Sequence, residues 1–322
     1  MPTLAELPYE LILGTALALG LAFGSFLNVV IHRVPREQSL IRPGSHCPAC
    51  GTAIRAYDNL PVLGWLLLRG RARCCGARIS IRYPLVELCG GLLAWAIVAI
   101  LISDLPAETP WWRALAFFAA YLALGLGLIA AAFIDLEHMI LPDEITVGGT
   151  LLGVLTVPLR PESSLVESLL GAALGFLMIW LPFDVLHRAL RGKPGMGLGD
   201  AKLVMLAGAW FGWPGALFTL LAGAVQGTLV TLAVLIAQGR IEEPEAVRRE
   251  RAELRAELEK AEGAEREALE RELELDPIGS EPEPGLGKAR LAFGPFLALS
   301  TLEYMLFGKM LVRDYLRLAW PI

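Results

Sequence analysis

Charged residues are scarce in this chain: they make up 19% of its 322 residues, against 55% for hydrophobic residues. Histidine and cysteine are scarcer still, with 4 and 5 copies. The hydrophobic fraction is high, and several apolar runs are long enough to cross the roughly 30 Å hydrocarbon core of a bilayer. The sequence therefore predicts a polytopic membrane protein.

Other familiar signals are also missing. The first apolar segment has no basic residue before it and is too long for a removable signal peptide, so we expect it to remain as a membrane anchor. No glycine-rich loop of the dinucleotide-binding type follows a predicted strand, and no internal repeat is found. We expect contact with membrane lipid and no nucleic-acid partner.

The apolar runs predict an all-α integral membrane protein with about eight transmembrane helices, or seven if one of the shorter runs is a partial span. The predicted spans are residues 8–31, 85–103, 112–134, 144–158, 165–187, 201–213, 214–238 and 291–312. The predicted regions are a first helix (1–31), a cysteine-containing loop domain (32–84), a transmembrane core (85–238), a charged helical insert with a linker (239–290), and a last helix with a tail (291–322).

The first loop indicates how the chain is oriented. Residues 32–84 contain Glu37 and Asp58 as their only acids, and their nine arginines are at positions 33, 36, 42, 55, 69, 71, 73, 78 and 82. Loops rich in arginine stay in the cytoplasm. Counting spans from this loop predicts an outer N-terminus and places residues 135–143, 188–200 and 239–290 on the cytoplasmic face.

Four of the five cysteines lie in this loop, as the pairs Cys47/Cys50 and Cys74/Cys75. In a reducing compartment such a cluster indicates metal binding before disulfide formation, and four thiolates suit tetrahedral zinc. Adjacent cysteines are expected to point apart, so the second pair is the weaker half of this prediction. The alternative is that Cys74 or Cys75 is a small buried residue.

Residues 242–276 differ from the rest of the chain in being rich in Glu, Arg, Ala and Leu. Their many Glu/Arg pairs four positions apart predict a solvated helix or helical hairpin. Two roles remain open for it, a spacer or a docking arm for a cytoplasmic partner.

Two aspartates stand where apolar segments meet polar ones. Asp135 ends the third predicted span, and Asp200 follows a turn whose glycines include Gly197 and Gly199. Carboxylates are costly at the edge of a bilayer, which makes them functional candidates. Two carboxyls held close together share a proton, so that one serves as a base and the other as an acid. This is the chemistry of an aspartic protease.

Two neighbouring residues are candidates for supporting that pair. Asp143 follows Leu141-Pro142 and is expected to cap the helix of the fourth predicted span. Lys202 either extends its ammonium group to the membrane surface as a structural residue or holds one aspartate ionised by charge attraction.

These motifs together resemble the type IV prepilin peptidases, the bifunctional leader peptidases and N-methyltransferases of type IV pili and type II secretion. The stretches that carry the resemblance are Gly24–Val30 with Arg33 and Pro35, Cys47–Cys50, Ile79–Glu87, Ile134–Asp143, Gly195–Lys202 and Phe293–Ala298. The resemblance implies that Asp135 and Asp200 are the catalytic pair. It also implies a multi-pass protein of the bacterial inner membrane whose active site faces the cytoplasm.

The resemblance further implies the substrates and the second activity. Type IV prepilins or pseudopilins would lose a short basic leader after a glycine, and the new N-terminus would be methylated from S-adenosylmethionine. Candidates for binding this methyl donor are Asn28, Arg82, Tyr83 and Glu87, because a cationic sulfonium and an amino-acid group need a carboxylate and hydrogen-bonding groups. Alternatively, Arg82 and Glu87 form an ion pair that locks the loop onto the second span.

The chain departs from the family pattern in its second cysteine pair, where the usual spacing would use positions 72 and 75. Here Ala72 stands at the first of them and Cys74 is an additional neighbour. The charged insert is also longer than expected.

Three other functions compete with this interpretation. The chain could be a peptidase without methyltransferase activity. A proton-coupled transporter is more remote, because it would carry acids at mid-membrane and repeated halves. A non-catalytic scaffold would leave the two aspartates without a purpose.

Overall fold

The computed structural model describes residues 8–160, 163–191, 195–239, 244–261, 263, 266–267 and 291–319. Within these ranges the chain is helical and contains no strand, only two isolated bridges, His46 with Ala53 and Arg71 with Arg78. The predicted all-α class is confirmed.

Ten α-helices follow one another along the described chain. They are α1 (Tyr9–Arg33), α2 (Leu63–Leu67), α3 (Arg82–Ala96), α4 (Trp111–His138), α5 (Asp143–Leu155), α6 (Leu165–Ile179), α7 (His187–Arg191), α8 (Leu198–Gln238), α9 (Glu245–Leu258) and α10 (Gly294–Ala319). Wider π-helical turns continue α3 through Ile97–Ile102 and α6 through Trp180–Leu186. Short 3-10 turns occur at Val34–Arg36, Ala56–Asn59 and Val157–Leu159.

Five of these helical segments are long and apolar enough to cross a membrane: α1, α3, α4, α6 and α8, with the turns that continue α1, α3 and α6. The chain is therefore a multi-pass membrane protein, although the predicted count of eight spans is not confirmed. The 13 residues of α5 reach only about 20 Å, which is too short to span by itself. The 41-residue α8 is broken at Gly212, close to the predicted boundary between spans 201–213 and 214–238.

The chain divides into two compact units. The first contains the described residues within 1–130, 155–162 and 302–322. In it α1 packs closely on α3 through glycines: a Cβ on Gly20 would lie 2.4 Å from the Gly90 carbonyl oxygen, and one on Gly24 would lie 2.7 Å from the Glu87 Cα. Such close backbone approach is typical of helix pairs in membranes. It aligns the end of α1 with the beginning of α3.

The second unit contains residues 131–154 and 163–301. Here α6 packs on α8 through Gly171 and Gly175, where added Cβ atoms would lie 2.3 Å and 2.5 Å from backbone oxygens of α8. Farther along α8, Ser300 of α10 donates a buried hydrogen bond of 2.9 Å to the Thr219 carbonyl. These contacts hold the N-terminal turns of α8 and α10 in one framework.

The charged insert is helical where it is described. Helix α9 carries an ion pair of 2.8 Å between Arg249 and Glu253, as predicted for pairs four positions apart. Val247 and Arg251 are buried, so one face of α9 is covered by protein and the helix is not solvated all round. Within the predicted 242–276 helix, residues 242–243, 262, 264–265 and 268–276 lie outside the described residues.

Candidate active site

Asp135 lies in the last turn of α4, where the helix ends at a left-handed residue. Met139 has φ of +55°, and its backbone N–H donates to the Asp135 carbonyl at 2.9 Å. The Asp135 side chain is buried, and its Oδ2 accepts a hydrogen bond of 2.9 Å from the backbone N–H of Gly294. An amide donor aimed at a buried carboxyl fixes that carboxyl in one orientation.

Asp200 lies in the first turn of α8, directly after the glycine-rich turn. Gly197 takes the extended conformation that precedes the helix. The first turn of a helix stabilises negative charge, because its free N–H groups point toward it. Asp200 is half-buried. Leu141 lies beside Gly199, which precedes Asp200, and beside Gly294, whose amide binds Asp135. The second unit therefore brings the two predicted aspartates into one site.

Leu141 occupies the space between these two carboxyl-bearing turns. A Cβ on Gly199 would lie 3.0 Å from the Leu141 Cβ, and a Cβ on Gly294 would lie 3.0 Å from the Leu141 Cδ2. A side chain at either glycine would press on Leu141, and one at Gly294 would also lie 2.7 Å from the Asp135 Oδ2. Gly197 is different, because a Cβ there would make only an ordinary contact of 3.6 Å with the Asp200 Oδ2.

Lys202 and Asp143 form an ion pair beside the aspartates. The Lys202 Nζ lies 2.6 Å from Oδ1 and 2.8 Å from Oδ2 of Asp143. The predicted capping role of Asp143 is wrong: the first N–H groups of α5 donate to the Pro142 carbonyl, and Asp143 is the first residue of the helix. Lys202 contacts Asp143 through both carboxylate oxygens.

The four loop cysteines lie together in the first unit. Their sulfur atoms are all within 4.8 Å of one another. Sγ–Sγ distances are 3.7 Å for Cys47–Cys75, 3.3 Å for Cys50–Cys74 and 3.9 Å for Cys74–Cys75. Tetrahedral zinc with bonds of about 2.3 Å holds its sulfurs about 3.8 Å apart, so this donor set fits zinc. The expectation that adjacent cysteines point too far apart to share one ion is wrong.

Two turns of matching conformation explain why an adjacent cysteine is used. In the first turn Cys47 exchanges backbone hydrogen bonds with Thr52 and Gly51; in the second, Ala72 does so with Ala77 and Gly76. Gly51 and Gly76 have φ of +72° and +71°. The position equivalent to Cys47 is thus occupied by Ala72. Cys74 brings the fourth sulfur to the cluster instead.

The thiols of this cluster differ in acidity. Hydrogen bonding by Thr52, through its side chain and backbone, and by Cys74 lowers the pKa of Cys50 to about 6. The hydrogen bond shared with Cys50 raises the pKa of Cys74 to about 12.

The four methyl-donor candidates lie at the contact between α1 and α3. Asn28 is buried, and its Nδ2 donates to the Tyr83 carbonyl at 3.1 Å, while its Oδ1 has no hydrogen-bond partner among the described residues. The Arg82 guanidinium stacks over the Tyr83 ring at 5.3 Å. Glu87 is one helical turn beyond Tyr83 and accepts a 2.6 Å hydrogen bond from the Val62 backbone N–H. Glu87 thereby ties the loop to α3.

Sequence reasoning missed the parts played by Gly294, Leu141 and Val62. Gly294 and Leu141 lie in the stretches that carry the family resemblance, but no local pattern shows that they contact Asp135 or Gly199. Val62 has φ of +62°, which is unusual for a β-branched residue, and it follows Pro61. A left-handed valine gives no signal in a sequence.

Two family models match separate parts of the chain. A family model described as "Bacterial Peptidase A24 N-terminal domain" matches residues 18–101, and one described as "Type IV leader peptidase family" matches residues 122–232. No solved structure shows a significant match.

Several curated relatives are named "Prepilin leader peptidase/N-methyltransferase". The one from Myxococcus xanthus is 43% identical over 223 residues, covering 69% of this chain and 63% of that relative. The one from Stutzerimonas stutzeri is 38% identical over 258 residues, covering 73% and 85%. The one from Pseudomonas aeruginosa is 35% identical over 260 residues, covering 72% and 83%.

Proposed function

The chain belongs to the type IV leader peptidase family, and from this premise we propose that it is an aspartic endopeptidase acting on type IV prepilins or pseudopilins. It removes their short basic leader at the cytoplasmic face of the bacterial inner membrane and then methylates the new N-terminus. The observation that carries the peptidase assignment is the placement of Asp135 and Asp200 next to one residue, Leu141, with Asp135 buried and bound by a backbone amide.

The carboxyl pair supplies the acid and the base that peptide hydrolysis needs. The ionised member takes a proton from water as the water oxygen bonds to the scissile carbonyl carbon. The protonated member donates to the carbonyl oxygen. Transfer of a proton to the amide nitrogen then breaks the carbon–nitrogen bond, which releases the leader as a carboxylate and the pilin as a free amine. No metal is required in this step.

The active site is proposed to face the cytoplasm on the strength of the arginine-rich first loop. Both aspartates lie at helix ends, Asp135 in the last turn of α4 and Asp200 in the first turn of α8. Carboxyls at helix ends suit a reaction at the membrane surface. They do not suit a relay of protons through the bilayer centre.

Processing of a prepilin by the purified full-length chain in lipid tests the peptidase. Asp135→Asn and Asp200→Asn are each expected to abolish leader removal, because neither amide can carry the proton that the pair shares. Asp104→Asn, at an exposed loop aspartate, is the matched control and is expected to cut normally. Full cleavage by either active-site variant would refute the pairing.

The methyl-transfer proposal rests on the cluster between α1 and α3. S-adenosylmethionine, when bound, supplies a methyl group on a cationic sulfur, and the free amine of the cut pilin is the acceptor. The Asn28 Oδ1 is a buried acceptor without a partner in the part of the chain that the structure describes, and Glu87 brings a carboxylate to the same helix contact. These two groups are suited to the positive charges of the methyl donor, with Arg82 and Tyr83 beside them.

Binding of the methyl donor can be measured without any reaction. Calorimetry with S-adenosylmethionine is expected to show binding to the wild type and weaker binding to Asn28→Ala. Mass measurement of a pre-cut pilin then reports methyl addition. If the wild type adds no methyl group to the pre-cut pilin, the protein is a peptidase only.

Zinc is the metal proposed for the four cysteines. Cys47, Cys50, Cys74 and Cys75 would hold it in a closed site, with no position left for substrate. Its proposed role is to fold the loop domain.

A further inference from the structure

The segment that follows Asp135 also contacts the turn that carries Asp200. We infer that residues Met139–Asp143, here called the strap, position Asp200 against Asp135. The Asp143–Lys202 ion pair fastens the strap on its outer side and Leu141 fastens it on its inner side. This inference rests on the proposed peptidase function, because it concerns the geometry of that pair.

The outer fastening is the ion pair. Lys202 is two residues past Asp200, so its side chain leaves the helix about 200° around from that of Asp200. Its ammonium group bonds both oxygens of Asp143, at 2.6 Å and 2.8 Å. Lys202 therefore acts on Asp200 through the helix turn that both occupy, as a positioning residue.

The inner fastening is Leu141. It packs where Gly199 and Gly294 lack side chains, within 3.0 Å of where each Cβ would lie. Gly199 immediately precedes Asp200, and the Gly294 amide donates to Asp135. One apolar side chain thus contacts the backbone supporting both carboxyls.

The strap itself has little freedom to shift. Met139 ends α4 in a left-handed conformation with φ of +55°. At the other end of the strap, the ring of Pro142, the residue just before α5, fixes its own φ angle. The Met139 amide is bonded to the Asp135 carbonyl. Asp135, the strap and Lys202 therefore form a short chain of fixed contacts within the second unit.

If the strap positions the pair, loosening it should slow the chemical step and leave substrate binding nearly unchanged. Misplacing a catalytic group by 1 Å can cost on the order of 100-fold in rate. The Asp143 side chain is 61% exposed, so loss of this ion pair should hardly change the thermal stability of the protein. A purely structural role would lower stability and would not separate kcat from KM.

The test is a double-mutant cycle on prepilin cleavage by the full-length chain in lipid. Lys202→Gln and Asp143→Asn are each expected to lower kcat about 10-fold or more, with KM changed less than about twofold. The double variant should be no slower than the slower single variant, because both changes release the same fastening. Arg188→Gln is the matched control, since it breaks another ion pair of the second unit, with Asp184 at 2.7 Å, and should keep wild-type kcat.

Leu141→Ala tests the inner fastening independently. It should also lower kcat with KM unchanged, whereas control Leu221→Ala, at an exposed position of α8, should not. Wild-type kcat in Lys202→Gln and Asp143→Asn, or additive losses in the double variant, would overturn the inference while Asp135→Asn still establishes the peptidase. An inert wild type would overturn both proposals.

Discussion

At the scale of single residues, the orientation of Asp135 depends on a glycine 159 positions farther along the chain. The Gly294 amide donates to the Asp135 Oδ2, and this approach requires the absence of a Cβ. An added methyl group would lie 2.7 Å from that oxygen and 3.0 Å from the Asp135 Cγ. Either the backbone at residue 294 or the Asp135 carboxyl must move if a side chain is introduced.

Gly294→Ala is therefore expected to reduce prepilin cleavage by about 100-fold, because displacing a catalytic group has a cost of that order. The measurement is kcat in lipid. Gly148→Ala serves as the control, since nothing lies within 4 Å of its added Cβ. Equal activity of the two variants would show that the amide contact with Asp135 has no catalytic importance.

The cysteine cluster gives a second prediction at this scale. Cys74→Ala should lower the zinc content of the purified protein, because only three sulfurs of the set remain. Adding Ala72→Cys to that variant should restore zinc, because Ala72 occupies the turn position that Cys47 occupies in the first turn.

Zinc is measured by elemental analysis of the purified protein. Cys89→Ala is the matched control, because Cys89 lies in α3 outside the cluster and should leave the zinc content unchanged. Absence of zinc from the wild type, or full zinc in Cys74→Ala, would contradict the proposed ligand set.

At the scale of helices, the break in α8 determines which part of the helix carries Asp200. Gly212 has φ of +68° and ψ of −174°, a conformation that is essentially restricted to glycine. It separates the N-terminal half, which carries Asp200, from the half that contacts α10. Pro214 follows two residues later and removes a further helical hydrogen bond.

Gly212→Ala is expected to lower the free energy of unfolding by about 1–3 kcal/mol, the usual cost of holding a side chain in such a conformation. Unfolding in detergent by denaturant would measure it. Gly14→Ala provides the control, because an added Cβ in α1 meets nothing within 4 Å. An unchanged midpoint in Gly212→Ala would mean that α8 can straighten without loss.

At the scale of the whole molecule, the arginine-rich loop predicts the orientation in the membrane. The four cluster cysteines should then be cytoplasmic, and the loop containing Glu108 should be outside. Because bound zinc would shield the cysteines, a membrane-impermeant maleimide is added together with a zinc chelator. In intact cells it should leave the wild type unlabelled and should label Glu108→Cys. After permeabilisation the wild type should react as well. Labelling of the wild type in intact cells would reverse the proposed orientation.

Much of the site follows from local patterns in the sequence. Acids at the ends of apolar runs identified Asp135 and Asp200, because a carboxylate is rarely placed there without a function. Paired cysteines identified the cysteine cluster, although local reasoning gave the wrong geometry for Cys74 and Cys75. The capping role expected of Asp143 also failed. A carboxylate at a helix start suits a cap in any sequence, but in the structure the Pro142 carbonyl accepts from the first N–H groups of α5 and Asp143 binds Lys202.

The sequence by itself determined the class of this protein, its apolar helices and the identity of the two acids, because hydropathy and the cost of charge near lipid act on each segment locally. Tertiary structure alone decided which groups surround those acids. The Gly294 amide, Leu141 and Asp143 reach their places through contacts between residues far apart in the chain, and packing energies of that kind leave no periodic trace in the amino-acid order. The span count illustrates the same limit, since helix length and a break such as Gly212 depend on what each helix packs against.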